Sequence, residues 1–208
     1  MPLRPSSIRN NPEKCNIFDD FDNILYDNEC WAYRTNGGTV ATPASPYAGQ
    51  IALTCGSHAS QKRWVELYIG CMSFSVAKNM WLQVRAKISA TTKVNLEFGF
   101  CAITPDNQDN RIFWCASTVL GTTWMGRTSS GGTLSTVDSG VAFDTNWHEF
   151  WIVTSSGSVT FFMDGVAYAP LTTNISSSLM SPYMRATNDG ANIRTLTIDV
   201  VEAIGDRD

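Results

Sequence analysis

The sequence predicts an all-β fold, an antiparallel two-sheet sandwich with an extended N-terminal arm. Three observations carry this. Apolar and polar residues alternate with period two in several segments, as half-buried strands require. Turn residues separate those segments at short intervals. Amphipathic helical spacing never persists for three turns, and only 74–82 has room for a single turn.

The arm is residues 1–17. It holds Pro2, Pro5 and Pro12, and proline has no amide hydrogen to donate to a ladder. Arg4, Arg9 and Lys14 make it mildly basic and are its candidate partner-binding residues. The folded domain, 18–208, is expected to open at Phe18-Asp19-Asp20-Phe21. In 81–88, Leu82, Val84, Ala86 and Ile88 alternate with Gln83, Arg85 and Lys87. In 94–100, Val94, Leu96, Phe98 and Phe100 alternate with Asn95, Glu97 and Gly99. The short link 89–93 suggests that these two strands pair as a hairpin. Further strands are expected at 111–118, 123–128, 133–137 and 148–154. Asp164-Gly165 lies between the apolar runs 159–163 and 166–168, a pattern that predicts a type I′ hairpin turn. In the last strand, 194–204, Leu196, Ile198 and Val200 alternate with Thr197 and Asp199. Loops are marked by Asn36-Gly37-Gly38, Ser129-Ser130-Gly131-Gly132 and Asn188-Asp189-Gly190.

Composition narrows the function. The 208 residues are 43% hydrophobic and 16% charged, which is globular rather than disordered composition. The net charge is −4 and no Lys/Arg run marks a nucleic-acid footprint. No stretch approaches the roughly 18 apolar residues that span a bilayer. The start lacks the apolar segment of a signal peptide, so the chain is expected to be made in a cytoplasm and to stay soluble. Six cysteines occur, none in a C-x-x-C pair. Most are expected to be buried free thiols, with Cys15 and Cys30 the better candidates for a bond.

No catalytic, metal or cofactor-binding residue is predicted. Only two histidines are present, His58 and His148, and there is no G-x-S-x-G elbow. His148 reads as a strand-end residue capping the core. No strand carries Glu-x-Asp-x-x-Glu, and Asp199 and Glu202 would fall on opposite faces of a regular strand. Asp19, Asp20 and Asp22 read as a solvated acidic turn rather than a cation site. The seven tryptophans are more suggestive. Indole rings fill cores and interfaces, and exposed ones stack on sugars. Trp151 alternates out of phase with Phe150 and Ile152, so its large ring needs cover elsewhere. It is the candidate surface aromatic.

Four stretches carry a family resemblance: Phe18-Asp19-Asp20-Phe21; 147–152 with the Asp138-Ser139-Gly140-Val141 turn before it; 159–166, a strand ending in Asp-Gly; and 179–183 with 195–200. Together they resemble a concanavalin A-like (laminin G-like) jelly-roll domain, and more narrowly such domains in tailed-bacteriophage virion proteins. The resemblance implies a closing strand that pairs near the first. It also implies a virion-surface location, with synthesis in the host cytoplasm. The expectation is a non-enzymatic capsid decoration (cement) protein, bound to the major capsid protein or other virion proteins through arm and sandwich. Such a protein would be a dimer or trimer, with no cofactor and no nucleic-acid or membrane partner. The alternative is a carbohydrate-binding receptor-recognition module that meets host glycans. A hydrolase with an unrecognised carboxylate pair is the third possibility, and it requires two such groups about 5–10 Å apart in a cleft.

Overall fold

Alternation becomes burial strand by strand. Over Trp81–Ile88, Leu82, Val84, Ala86 and Ile88 are almost fully buried while Arg85 is exposed. A computed structural model describes residues 14–19, 31–41, 49–58, 63–69, 74–102, 109–188 and 190–206. The strands in the first half are β1 (Lys14–Asp19), β2 (Trp31–Asn36), β3 (Thr39–Ala41), β4 (Ile51–Thr54), β5 (Trp64–Ile69), β6 (Trp81–Ile88) and β7 (Asn95–Ala102). The second half adds β8 (Arg111–Ser117), β9 (Thr123–Ser130), β10 (Thr133–Ala142), β11 (His148–Ser155), β12 (Ser158–Met163), β13 (Val166–Ala167), β14 (Met180–Thr187) and β15 (Thr195–Asp206). Among the described residues a 3-10 turn, Val76–Lys78, falls in the one segment with room for a helical turn.

The strands form two antiparallel sheets. One runs β10-β9-β8-β7-β14-β5-β2. The other runs β13-β12-β11-β6-β15-β4-β3, with β1 added on β15. The inner faces interlock over an aromatic centre. The Phe150 ring lies 4.7 Å from Trp124, 4.8 Å from Phe98 and 5.4 Å from Trp114, and Phe161 stands edge-on to Trp114. Tilted and edge-on pairs of this kind add to the burial of the rings themselves. Asp164 and Gly165 have φ of 50° and 81°, as the predicted type I′ turn between β12 and β13 demands. The closing strand β15 pairs with β1, the first.

Several expectations change. The segments 81–88 and 94–100 do not pair. β6 lies between β11 and β15, and β7 lies between β8 and β14 in the other sheet. The link between them therefore crosses the sandwich. The first strand starts at Lys14, inside the stretch expected to be arm, and pairs with β15 there. Arg4 and Arg9 lie outside the described residues. Asp138-Ser139-Gly140-Val141 belongs to β10, where the register with β9 shifts between Asp138 and Ala142. β15 also shifts register, between Ile198 and Val200. That bulge restores Val201 and Ala203 to the core, and it brings Asp199 to Arg85 on the outer face that Glu202 shares.

Candidate functional site: the outer face of the seven-stranded sheet

The outer face of the seven-stranded sheet follows from what its inner face buries. β7 points Leu96, Phe98 and Phe100 into the core, so Asn95, Glu97 and Cys101 point out. The same parity turns out Trp64, Glu66 and Tyr68 from β5, Tyr183, Arg185 and Thr187 from β14, and Arg111, Phe113, Cys115 and Ser117 from β8. Arg127 of β9 joins them.

Register sets these residues in rows. Arg34 faces Glu66, Glu66 faces Arg185, and Arg185 faces Glu97, so charge alternates across β2, β5, β14 and β7. Trp64 faces Thr187 and Asn95 faces Ser117. These two pairs are neighbours, one residue beyond the Ala186–Leu96 pair. Adjacent strands stand about 4.8 Å apart, so Glu66 and Glu97 sit about 10 Å apart at Cα with Arg185 between them.

The charges are held close and half-covered. Arg111 Nη1 donates to both Glu97 carboxylate oxygens, at 3.0 and 2.9 Å. The two side chains are only 16% and 14% exposed. Arg185 Nη1 lies 3.9 Å from Glu66 Oε2, an ion pair too long for a hydrogen bond. The guanidinium of Arg185 covers the Trp64 ring at 4.9 Å. Arg111 and Arg127 both approach the Phe113 ring, at 4.5 and 5.9 Å. Arg34 donates to the Tyr68 hydroxyl at 3.3 Å. Among the described residues, Arg111 Nε, Arg185 Nε and Arg185 Nη1 are buried without an acceptor, and the Tyr183 hydroxyl, beside Arg111, finds none for its proton. A cleft of about 210 Å³ opens here, lined among others by Asn95, Glu97, Arg111, Arg127, Arg185 and Thr187.

Burial sets the protonation of the face. It lifts the Glu66 carboxyl above its usual range; Glu97 nearby adds to the rise and Arg185 opposes it. Burial likewise holds the Tyr183 hydroxyl protonated. The Cys101 and Cys115 thiols are pushed up to about 12, first by burial. With Cys55 they are free cysteines; Cys55 and Cys115 are buried, as expected, and Cys101 is half-buried. Cys30 and Cys71 lie outside the described residues, and so does the side chain of Cys15. Among the described residues no group of three His, Cys, Asp or Glu side chains is placed to hold a metal ion. The described part of the acidic cluster is the backbone of Asp19 in β1.

The predicted candidates fall elsewhere. Trp151 lies on the outer face of the other sheet, stacked on Trp81 at 5.3 Å, with its indole donating to Glu149 Oε1 at 2.6 Å. Trp147 nearby is covered by Arg85 and Lys87. Trp114 and Trp124 are core. Of the tryptophans whose side chains are described, Trp64 is the one on the cleft-bearing face. His148 does sit at the start of a strand. It also bridges two carboxylates, Asp164 Oδ2 at 2.6 Å and Asp144 Oδ1 at 2.9 Å. Sequence reasoning missed Glu66, Glu97, Arg111 and Arg185 because it sought carboxylates along one strand. The pairing of β5, β14 and β7 assembles them across strands. The signal was present in part: Glu97 and Arg111 are the charged residues of β7 and β8, and each stands in outward phase.

No protein-family model and no curated protein sequence matches the chain. Solved structures do. A β-glucanase of Bacillus licheniformis superposes with a TM-score of 0.66 at 14% identity, covering 90% of this chain and 97% of that one. The carbohydrate recognition domain of Emp47p gives 0.62 at 13% identity, covering 94% and 96%. An endo-β-galactosidase of Clostridium perfringens that releases GlcNAcα1-4Gal gives 0.68 at 11% identity, covering 98% and 66%. Other neighbours are also mostly glycoside hydrolases. The expected capsid decoration protein without enzymatic activity is overturned by this set, whose members are mostly glycoside hydrolases. The physical error lay in treating the lack of a one-strand carboxylate motif as the lack of a carboxylate pair. The bacteriophage setting has no counterpart among these neighbours. What the superpositions establish is the fold: the chain is a concanavalin A-like jelly-roll sandwich.

Proposed function

We propose that the protein is carbohydrate-active and takes an oligosaccharide on the outer face of its seven-stranded sheet. One observation carries the reading. Trp64, Thr187, Asn95 and Ser117 form a row beside the half-buried Arg34–Glu66–Arg185–Glu97 row, and Thr187, Asn95, Ser117, Arg185 and Glu97 of these rows line a cleft of about 210 Å³. Sugar recognition needs an aromatic plate for C–H faces and fixed polar groups for hydroxyls, and these two rows supply both. Arg185 lies over the Trp64 ring, so stacking there requires the guanidinium to shift or the sugar to approach the ring's edge.

A second reading, hydrolysis of a glycosidic bond, is favoured by the raised Glu66 carboxyl. A protonated acid donates to a leaving oxygen, and a partner carboxylate, Glu97, completes the pair. In the virion setting implied by the phage resemblance, the ligand would be a host glycan, and a homo-oligomer would multiply weak sugar contacts.

The test is calorimetric titration with a set of β-linked and mucin-type oligosaccharides, alongside a reducing-end release assay. Saturable binding by the wild type, lost in Trp64→Ala, supports the reading. Release abolished in both Glu66→Gln and Glu97→Gln supports the hydrolytic form. No binding across the set at millimolar sugar contradicts it.

A further inference from the structure

The cleft is more cationic than the protein that carries it. The whole chain has a net charge of −4. Yet among the described residues the cleft lining includes three guanidiniums, Arg111, Arg127 and Arg185, and one carboxylate, Glu97. Glu66 partly offsets Arg185 from the side of β5, at 3.9 Å. Asp138 lies at the far edge on β10, where its carboxylate accepts from the Gly140 amide. Arg111 and Arg127 share one face of the sheet over the single ring of Phe113, although like charges repel. Glu97 is already engaged by Arg111 through both of its oxygens.

The hydrogen-bond inventory points the same way. Among the described residues, Arg185 Nε and Nη1, Arg111 Nε and the Tyr183 hydroxyl are buried donors with no acceptor. An unpaired buried donor is costly, and the cost is larger when the group is charged. Arginine and a neutral tyrosine have donors to offer here, and burial keeps the Tyr183 proton in place. What the described part of the site lacks is acceptors. A neutral sugar hydroxyl accepts weakly and brings its own proton. A carboxylate or a sulfate ester brings several strong acceptor oxygens and matches the guanidinium fork.

We propose that the oligosaccharide bound here is acidic, bearing a carboxylate or sulfate group that Arg111, Arg127 and Arg185 engage in the cleft. This rests on the carbohydrate reading above and specifies the ligand class of the same face. Trp64 and the Thr187, Asn95 and Ser117 row then hold the neutral part of the chain. The anionic group sits toward β8 and β9, where the arginines crowd Phe113.

The experiment uses the full chain and four probes at 50 and 300 mM salt: a neutral gluco-oligosaccharide, an oligogalacturonate, a sulfated galacto-oligosaccharide, and sodium sulfate alone. Calorimetry is expected to show at least one acidic oligosaccharide binding about tenfold or more tighter than the neutral one, as charge-assisted hydrogen bonds provide. The advantage shrinks at high salt, and the uronate and sulfate arms tell which anion is preferred. Arg127→Gln is expected to remove most of the advantage. Arg185→Gln does the same, and a circular-dichroism melt confirms that each variant folds. Equal or tighter binding of the neutral sugar overturns the acidic assignment and leaves the carbohydrate reading standing. Sulfate binding as tightly as the sulfated sugar also overturns it, since the cleft would then be a simple anion site. Binding of no sugar at all contradicts the carbohydrate reading itself.

Discussion

Replacing His148 by Gln should make stability respond differently to pH, in a direction fixed by the structure. His148 is 11% exposed and lies between Asp144 and Asp164, whose side chains are 42% and 50% exposed. It ties the link before β11 to the β12–β13 turn, whose Asp164 also accepts the Glu149 amide at 2.9 Å. Burial alone would lower the imidazole pKa from 6.5. The hydrogen bonds and charges of Asp164 and Asp144 outweigh it, and the net shift is upward. A group whose folded pKa is raised stabilises the fold fully below its unfolded pKa, and that contribution fades as pH rises through the folded value. Half-exposed partners keep each ion pair near 0.5–1 kcal/mol, so the two together contribute about 1–2 kcal/mol near pH 5.5. Urea denaturation of wild type and His148→Gln at pH 5.5 and 9 measures this. The expected difference is about 1–2 kcal/mol at pH 5.5 and clearly smaller at pH 9. A difference that is flat with pH, or larger at pH 9, refutes the reasoning.

Two further outcomes are expected. Phe150→Ala, at the junction of Trp114, Trp124 and Phe98, should lower stability by about 3–5 kcal/mol in chemical denaturation. A loss below about 1 kcal/mol would place the centre of the core elsewhere. Cys101 and Cys115, with pKa values of about 12, should resist a thiol reagent in the native protein at pH 8 and react once urea unfolds it. Rapid native labelling of either thiol would show that the face is more open than described.

The fold was legible where one side of a strand is wet. β6, β7 and the Asp164-Gly165 hairpin follow from alternation and turn chemistry alone. β14 was harder to see. Seven of its eight residues are buried, so no alternation marks it beyond its resemblance-bearing first half. Pairing was less legible than strand existence. A short link suggested that β6 and β7 are partners, but in a sandwich a short link also carries the chain from one sheet to the other. The bulge in β15 was hidden for a related reason: parity counting assumes a regular strand, and one extra residue moves Asp199 and Glu202 to the same side. The candidate site was least legible, because it is made across strands. Glu66, Arg185 and Glu97 are far apart in sequence and become a row only through register. Trp151 stood out in sequence because its phase was visible within one strand. Trp64 gained its significance only from its neighbours.

The central claim is that carbohydrate meets the outer face of the seven-stranded sheet. The most direct test is NMR titration of the labelled full chain with a binding oligosaccharide, following the assigned tryptophan indoles and arginine side chains. Shifts at Trp64, Arg111 and Arg185, with Trp81 and Trp151 unmoved, are the expected result. Shifts confined to Trp81 and Trp151 would place recognition on the opposite sheet and contradict the account.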